Sequence, residues 1–242
     1  MCTFVPQDKP DYMKTGVNIP FWKKWLSYFT EVTLEHTTSH YNQELIVSMI
    51  NGRLQLSTRE AIYSYEDKYD NFFETFRQMH LPEKANVLLL GFGLGSIPFM
   101  LEKKFDKRYH YTGVEIDDIV IYLASKYVLP SLMSEIELIN ADALAYVAMD
   151  VNKYDIIAMD IFVSEKIPDI FQTNTFLEDL QESLAPGGVL LFNRLSKTAM
   201  EKQDSDHYFN DTFLPVFPEA TYVAVKGNRV LVSQKEVLRG EK

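Results

Sequence analysis

The chain has 242 residues, 46% of them hydrophobic, and a formal net charge of −10. That length suits one large domain, or one domain with a small appendage, and the composition is that of a folded chain. The acidic balance argues against binding to nucleic-acid phosphate, the lone cysteine (Cys2) excludes an internal disulfide and a CxxC metal pair, and no apolar run approaches the roughly 20 residues that span a bilayer.

In chain order, residues 1 to about 18 carry Pro6, Pro10 and Gly16 as breakers. Pro20 then opens a short helix whose Phe21, Trp22, Trp25, Leu26 and Phe29 form an apolar stripe expected to pack on the body or on a second subunit. From Thr30 to about Ser64 the pattern turns to β, with short apolar runs at 32–34, 45–49 and 54–56 and an Asn51-Gly52 hairpin signal. A connecting helix over 69–79 should turn Phe72, Phe73 and Phe76 inward. The expected division is therefore an N-terminal cap, residues 1–80, and a larger domain, residues 81–242.

Strands are expected at 87–91, 109–115, 135–140, 154–160 and 188–193, with helices at 96–104, 118–128, 143–149 and 174–184. This alternation means a parallel sheet with helices on both faces. The run Val87 to Leu90 has no polar alternation, as a strand covered on both sides requires. Gly91, Gly93 and Gly95 follow it at once and let the backbone approach a ligand closely. The dinucleotide fingerprint is not met, because Ser96 stands where a third spaced glycine belongs. Glu115 ends the second strand, where a carboxylate can accept both hydroxyls of a ribose, so the unit reads as an adenosine site. Asp117 is expected to cap the next helix, and Asp142 is a candidate cap for the helix from Ala143. Asp160 ends the fourth strand, and open α/β sheets bind ligands at the carboxyl ends of their strands, so it should face a reacting centre. The segments 220–225 and 229–233, around Lys226-Gly227-Asn228, read as a terminal hairpin.

Competing chemistries find little support. The five histidines show no HExxH spacing, and neither a G-x-S-x-G elbow nor a GxxxxGK[ST] loop exists, so no metal ligands are proposed. The N-terminus has no basic segment followed by an apolar core, and a cytoplasmic protein without membrane or nucleic-acid partners is the expectation.

A doubly wound, mostly parallel seven-stranded sheet ending in an antiparallel pair resembles the class I S-adenosylmethionine-dependent methyltransferases. That resemblance implies that Glu115 meets the ribose, that Ile116 belongs to the same cofactor site, and that Asp142 and the Ala143 N–H meet the adenine. With a small antiparallel β cap in front, the chain more closely resembles the spermidine synthase family of polyamine aminopropyltransferases. The echoes are Gln43-Glu44-Leu45-Ile46-Val47, Asn51-Gly52-Arg53-Leu54-Gln55, Glu60-Ala61-Ile62-Tyr63, Val87 to Gly91, Val114-Glu115-Ile116-Asp117 and Tyr154-Asp155-Ile156-Ile157.

The family's GGGDGG loop reads GFGLGS here, so Leu94 stands where an aspartate would hold the donor's cationic aminopropyl end. Its D-S-S-D-P reads Asp160-Ile161-Phe162-Val163-Ser164, with Val163 in place of the second aspartate. The resemblance thus implies Asp160 as the catalytic residue, an adenosyl site from Gly91, Gly93, Gly95, Glu115, Ile116, Asp142 and Ala143, and an acceptor side bordered by Gln43, Tyr63, Leu94, Phe162 and Glu165. The implied cofactor is S-adenosylmethionine, its decarboxylated form or the product methylthioadenosine, acting in a homodimer on a small acceptor, for which an amine is one option. The two missing carboxylates favour methyl transfer over aminopropyl transfer. A non-catalytic adenosyl-binding domain is the reading from another class.

Overall fold

The computed structural model describes residues 17–59, 62–163 and 166–239. Two sheets organise them. The smaller is a four-stranded antiparallel cap, β1 (Val32–Thr37), β2 (Leu45–Ile50), β3 (Arg53–Ser57) and β4 (Ile62–Ser64), paired in sequence order. Its β2–β3 turn is the expected hairpin: Asn51 and Gly52 take φ of 50° and 75°, as a two-residue primed turn needs. A helix, α2 (Asp70–Gln78), leads out of the cap and buries Phe72 and Phe76.

The larger sheet has seven strands: β5 (Asn86–Leu90), β6 (His110–Glu115), β7 (Glu135–Asn140), β8 (Tyr154–Met159), β9 (Leu184–Leu195), β10 (Thr221–Val225) and β11 (Asn228–Val232), in the order β10-β11-β9-β8-β5-β6-β7. β5 to β9 pair in parallel, and β11 and β10 close the edge as an antiparallel hairpin. Four helices lie in the crossovers: α3 (Ser96–Phe105), α4 (Asp118–Tyr127), α5 (Ala143–Met149) and α6 (Asn174–Ser183). This is the expected α/β architecture, with boundaries within a few residues except at β9, which runs on at both ends.

The unbroken apolar strands divide by alternation. Val87, Leu89, Ile156, Ala158 and Leu191 join one core, and Leu88, Leu90, Ile157, Met159 and Leu190 join the other. The first core also contains Leu45, Val47, Leu56, Phe72 and Phe76, so the cap is fastened to the sheet through α2 by continuous apolar packing.

Two findings refine the sequence reading, the first leaving a second subunit as the expected partner of the stripe. The stripe of α1 (Phe21–Leu26) does not pack on the body: Phe21, Trp22 and Trp25 are 81%, 60% and 58% exposed, and Phe29 just beyond is exposed as well. Six residues at the edge of the cap offer too little opposing surface to cover such side chains. Between β9 and β10 the structure adds a helix, α7 (Ala199–Tyr208), opened by a capping box in which Thr198 and Glu201 satisfy each other's backbone N–H groups. Asp204, Ser205, Asp206 and His207 lie on this helix and not at the cleft.

Candidate active site

The order of strands reverses between β5 and β8, and the crevice at their carboxyl ends is where an open sheet admits a ligand. A cleft of about 840 Å³ lies there, walled by the strand ends below and by cap residues Tyr41, Tyr63, Ser64 and Tyr65 above. Gly91 and Asp160 meet at its floor. The Asp160 N–H donates to the Leu90 carbonyl at 2.8 Å, and a Cβ on Gly91, whose φ is +84°, would come within 2.6 Å of the Asp160 carbonyl oxygen. Glycine is required at this point because of the neighbouring strand end.

On one side of the floor stands Glu115, with Ile116 beside it. The Glu115 Oε2 accepts from the N–H groups of Phe92 and Gly93 at 3.1 and 3.2 Å, and its Oε1 accepts from Asp117 at 3.2 Å. Burial raises the Glu115 pKa, and these three N–H donors work against that rise. The carboxylate therefore sets the shape of the glycine loop while facing the cleft. Asp142 and Ala143 line the same side; Asp142 caps α5 by accepting from Leu144 and Ala145 at 2.9 and 3.1 Å, both through Oδ1. Gly91 and Gly93 line the cleft, but Gly95 does not: as the left-handed residue before α3, with φ of 81°, it sits against the Phe92 ring and Pro98.

Asp160 occupies the opposite side. Its Oδ1 accepts from the Asn193 side chain at 2.8 Å, and Asn193 in turn accepts from Asn228 at 3.0 Å. The Tyr69 hydroxyl lies beside the same carboxyl. Burial pushes the Asp160 pKa up to about 7, against the pull of Asn193 and Tyr69, while burial and the Asp160 charge push the Tyr69 hydroxyl well above its usual value. Ile161, Phe162 and Val163 continue along the wall and make this end apolar.

The acceptor-side residues expected from sequence separate in the structure. Tyr63 and Phe162 line the cleft. Leu94 does not; it is 2% exposed and belongs to the core with Val87 and Leu89, because the left-handed turn at Gly93 and Gly95 swings it inward. Gln43 is exposed and outside the cleft, where its neighbour Tyr41 stands instead. Glu165 lies outside the described residues, as do Glu60 and Ala61.

Sequence reasoning missed the clasp that holds the cap over the cleft. Asp117 Oδ2 accepts from Ser39 and, at 2.8 Å, from Asn42, whose own side-chain oxygen accepts from the Tyr63 hydroxyl at 2.8 Å. Ser96, at the start of α3, bonds to Ser64 at 2.6 Å and to the Tyr65 N–H at 3.1 Å. Among the described residues, no group of three or more His, Cys, Asp or Glu side chains is placed to hold a metal ion. None of the described helices is long and apolar enough to cross a membrane.

A family model described as the Spermine/spermidine synthase domain matches residues 66–227. A similar curated protein is the polyamine aminopropyltransferase of Vibrio vulnificus, 29% identical over 158 residues, which are 63% of this chain and 51% of that protein. Another is the probable polyamine aminopropyl transferase of Bifidobacterium longum, 30% identical over 138 residues, 57% of this chain and 30% of that protein. The chain thus spans about half the length of the first of these relatives and less of the second. Among solved structures, a spermidine synthase from Thermotoga maritima aligns with a TM-score of 0.60 at 17% identity, covering 83% of this chain and 72% of that one. A probable spermidine synthase from Corynebacterium glutamicum aligns with a TM-score of 0.59 at 20% identity, covering 83% and 78%. The likeness in structure is one of fold: a methyltransferase-like sheet with a small antiparallel cap.

Proposed function

This chain belongs to the spermine/spermidine synthase domain family, and we propose that it is an aminopropyltransferase using decarboxylated S-adenosylmethionine and an amine. The observation that carries the reading is the placement of one shielded carboxylate, Asp160, across the cleft floor from the adenosyl-side acid Glu115. The residues present suit an adenosyl ligand. Glu115 faces the ribose position, Asp142 has its second oxygen available for the adenine amine, and the glycine loop keeps the floor open at Gly91 and Gly93.

The sulfonium donor is already activated, so the protein's task is to align the acceptor nitrogen and exclude water; such positioning supplies up to roughly 7–11 kcal/mol of a barrier. The nitrogen lone pair forms the new N–C bond as the C–S bond breaks, and its electrons return to sulfur to leave methylthioadenosine. The nitrogen then sheds one proton. Asp160 binds the incoming amine and takes that proton, for which a pKa of about 7 suits it. Tyr63, Tyr69 and Phe162 form the wall that keeps water from the reacting centre.

The expectation of methyl transfer gives way. The curated relatives are named as aminopropyltransferases, and the human methyltransferase-like protein 13 structure, at 24% identity and a TM-score of 0.50, shares a fold alone. Leu94 loses its weight as an objection, since its side chain is in the core and Asp70 and Asp160 line the cleft in reach of cationic ligands. Calorimetric titration with decarboxylated S-adenosylmethionine, S-adenosylmethionine and methylthioadenosine, followed by assay for methylthioadenosine release with amines, tests the reading. Preference for the decarboxylated donor with turnover is expected. Preference for the full donor would restore methyl transfer, and binding without turnover across the amines would favour a non-catalytic adenosyl-binding domain.

A further inference from the structure

Asp160 follows β8, Asn193 lies on β9 and Asn228 opens β11, three neighbours in the sheet, and all three residues line the cleft. Register brings their side chains together. Met159 pairs with Phe192, so Asp160 and Asn193 are the next residues along two parallel strands. Asn193 stands opposite Val230, and Asn228, two residues away on β11, shares that residue's face of the sheet. The result is a line of side chains. The Asn228 amide N–H donates to the Asn193 oxygen at 3.0 Å, and the Asn193 N–H donates to Asp160 Oδ1 at 2.8 Å. Asn193 is 1% exposed, so these two partners fix its amide.

A side-chain amide has one accepting and one donating end, and the end that meets Asp160 decides which state of the acid is favoured. A carboxylate can only accept, so the NH2 end stabilises the ionised form, whereas the oxygen end would suit only the protonated acid. Asn228 decides between them, because its own N–H already holds the Asn193 oxygen. The choice matters here: burial works against ionisation of Asp160, and the ionised form is the one that can receive a proton from an amine. We propose that Asn228 is a positioning residue: by occupying the Asn193 oxygen it turns the NH2 end of that amide to Asp160 and keeps the carboxylate ready for the amine's proton. The inference rests on the aminopropyl-transfer reading of the same cleft. Tyr69 stands beside Asp160, and the charged side chains that line the cleft with it among the described residues are Lys68, Asp70, Glu115, Asp142, Lys197 and Lys226. All of them are unchanged in the variants below, so differences between variants report the amide line.

The test is a double-substitution cycle read as a titration. Asn228→Ala, Asn193→Ala and the double variant of the full chain are compared with the parent by carbon-detected NMR of the aspartate carboxyls, Asp160 being the signal missing from Asp160→Asn. The positive φ of the β10–β11 turn is at Gly227, so alanine at 228 strains no backbone. The Asp160 pKa should rise by about 1 unit or more without the Asn193 donor, and by roughly half a unit without Asn228. The double variant should match Asn193→Ala alone, because Asn228 acts through that amide. The same shifts should appear in the rising limb of kcat/KM for methylthioadenosine release with the decarboxylated donor and putrescine, a change that lost packing alone would not produce. An unchanged Asp160 titration in Asn228→Ala overturns the proposal, and so does an equal shift from that substitution in the Asn193→Ala background. The expected carboxyl shifts with no methylthioadenosine release from the parent would fail the aminopropyl-transfer reading while upholding the hold of Asn228 on Asp160.

Discussion

Asp160 is a carboxylate held between two neutral donors, Asn193 and Tyr69, in a place where burial dominates. Its folded-state pKa, about 7, lies above the ordinary 3.8, so between those values the folded protein keeps a proton that the unfolded chain has released. The sign follows: this residue's contribution to stability is complete below about pH 4 and is lost as the pH rises through about 7. Partly buried Glu66, also raised to about 7, acts in the same direction. Replacing Asp160 by Asn removes one of the two. The Asp160→Asn protein should therefore lose less stability than the parent between pH 4 and 8 in denaturant titrations, while kcat falls by about 100-fold or more, as loss of a general base entails. The parent's kcat/KM should rise through an apparent pKa near 7, and that limb should vanish in the variant. If the rise survives the substitution, the titrating group lies elsewhere.

At the scale of elements, the floor of the cleft depends on how closely β5 and β8 approach. Their shared floor leaves no room for a Cβ at residue 91, and φ of +84° would strain any other residue there. Gly91→Ala should cost about 1–3 kcal/mol from the left-handed backbone alone, with the contact at the Asp160 carbonyl adding to it. Equilibrium denaturation would show this loss, and calorimetry with methylthioadenosine would show weakened binding; a variant unchanged in both would mean that the floor is more yielding than its geometry indicates. The alternation of strands and helices from β5 to α6 was legible because each strand is an apolar run and each helix follows a recognisable break. The helix α7 carried a readable signal in Thr198-Ala199-Met200-Glu201, the spacing of a capping box, but its low apolar content hid its periodicity. The cap clasp left no such mark, because Ser39, Asn42 and Asp117 come from segments about 75 residues apart and short polar side chains are common in loops.

For the molecule as a whole, the chain's two tryptophans, Trp22 and Trp25, both stand outside the cores on α1. A protein with that arrangement emits like a solvated indole and is quenched by iodide in its folded state, so unfolding should change tryptophan emission little while far-ultraviolet dichroism collapses. The homodimer expected from the aromatic stripe predicts a different outcome. If copies associate through α1, emission shifts to shorter wavelength as concentration rises and iodide protection appears in parallel with a dimer in sedimentation. A monomer at all concentrations would end that expectation.

What the sequence determined by itself was whatever depends on neighbours along the chain: the doubly wound sheet, the Asn51-Gly52 hairpin, the glycine loop, and the acids Glu115, Asp142 and Asp160 at strand ends. Strand periodicity and turn chemistry act over a few residues, and the rule that ligands gather at the carboxyl ends of parallel strands turns those local signals into a site. The tertiary structure alone decided which side chains enter the cleft. It turned Leu94 into the core and Gly95 against Phe92, left Gln43 in solvent, and brought Tyr41, Tyr69 and three lysines to the lining of the cleft. A side chain's direction in a loop is set by left-handed backbone angles and by packing against segments distant in sequence, neither of which a motif alignment carries.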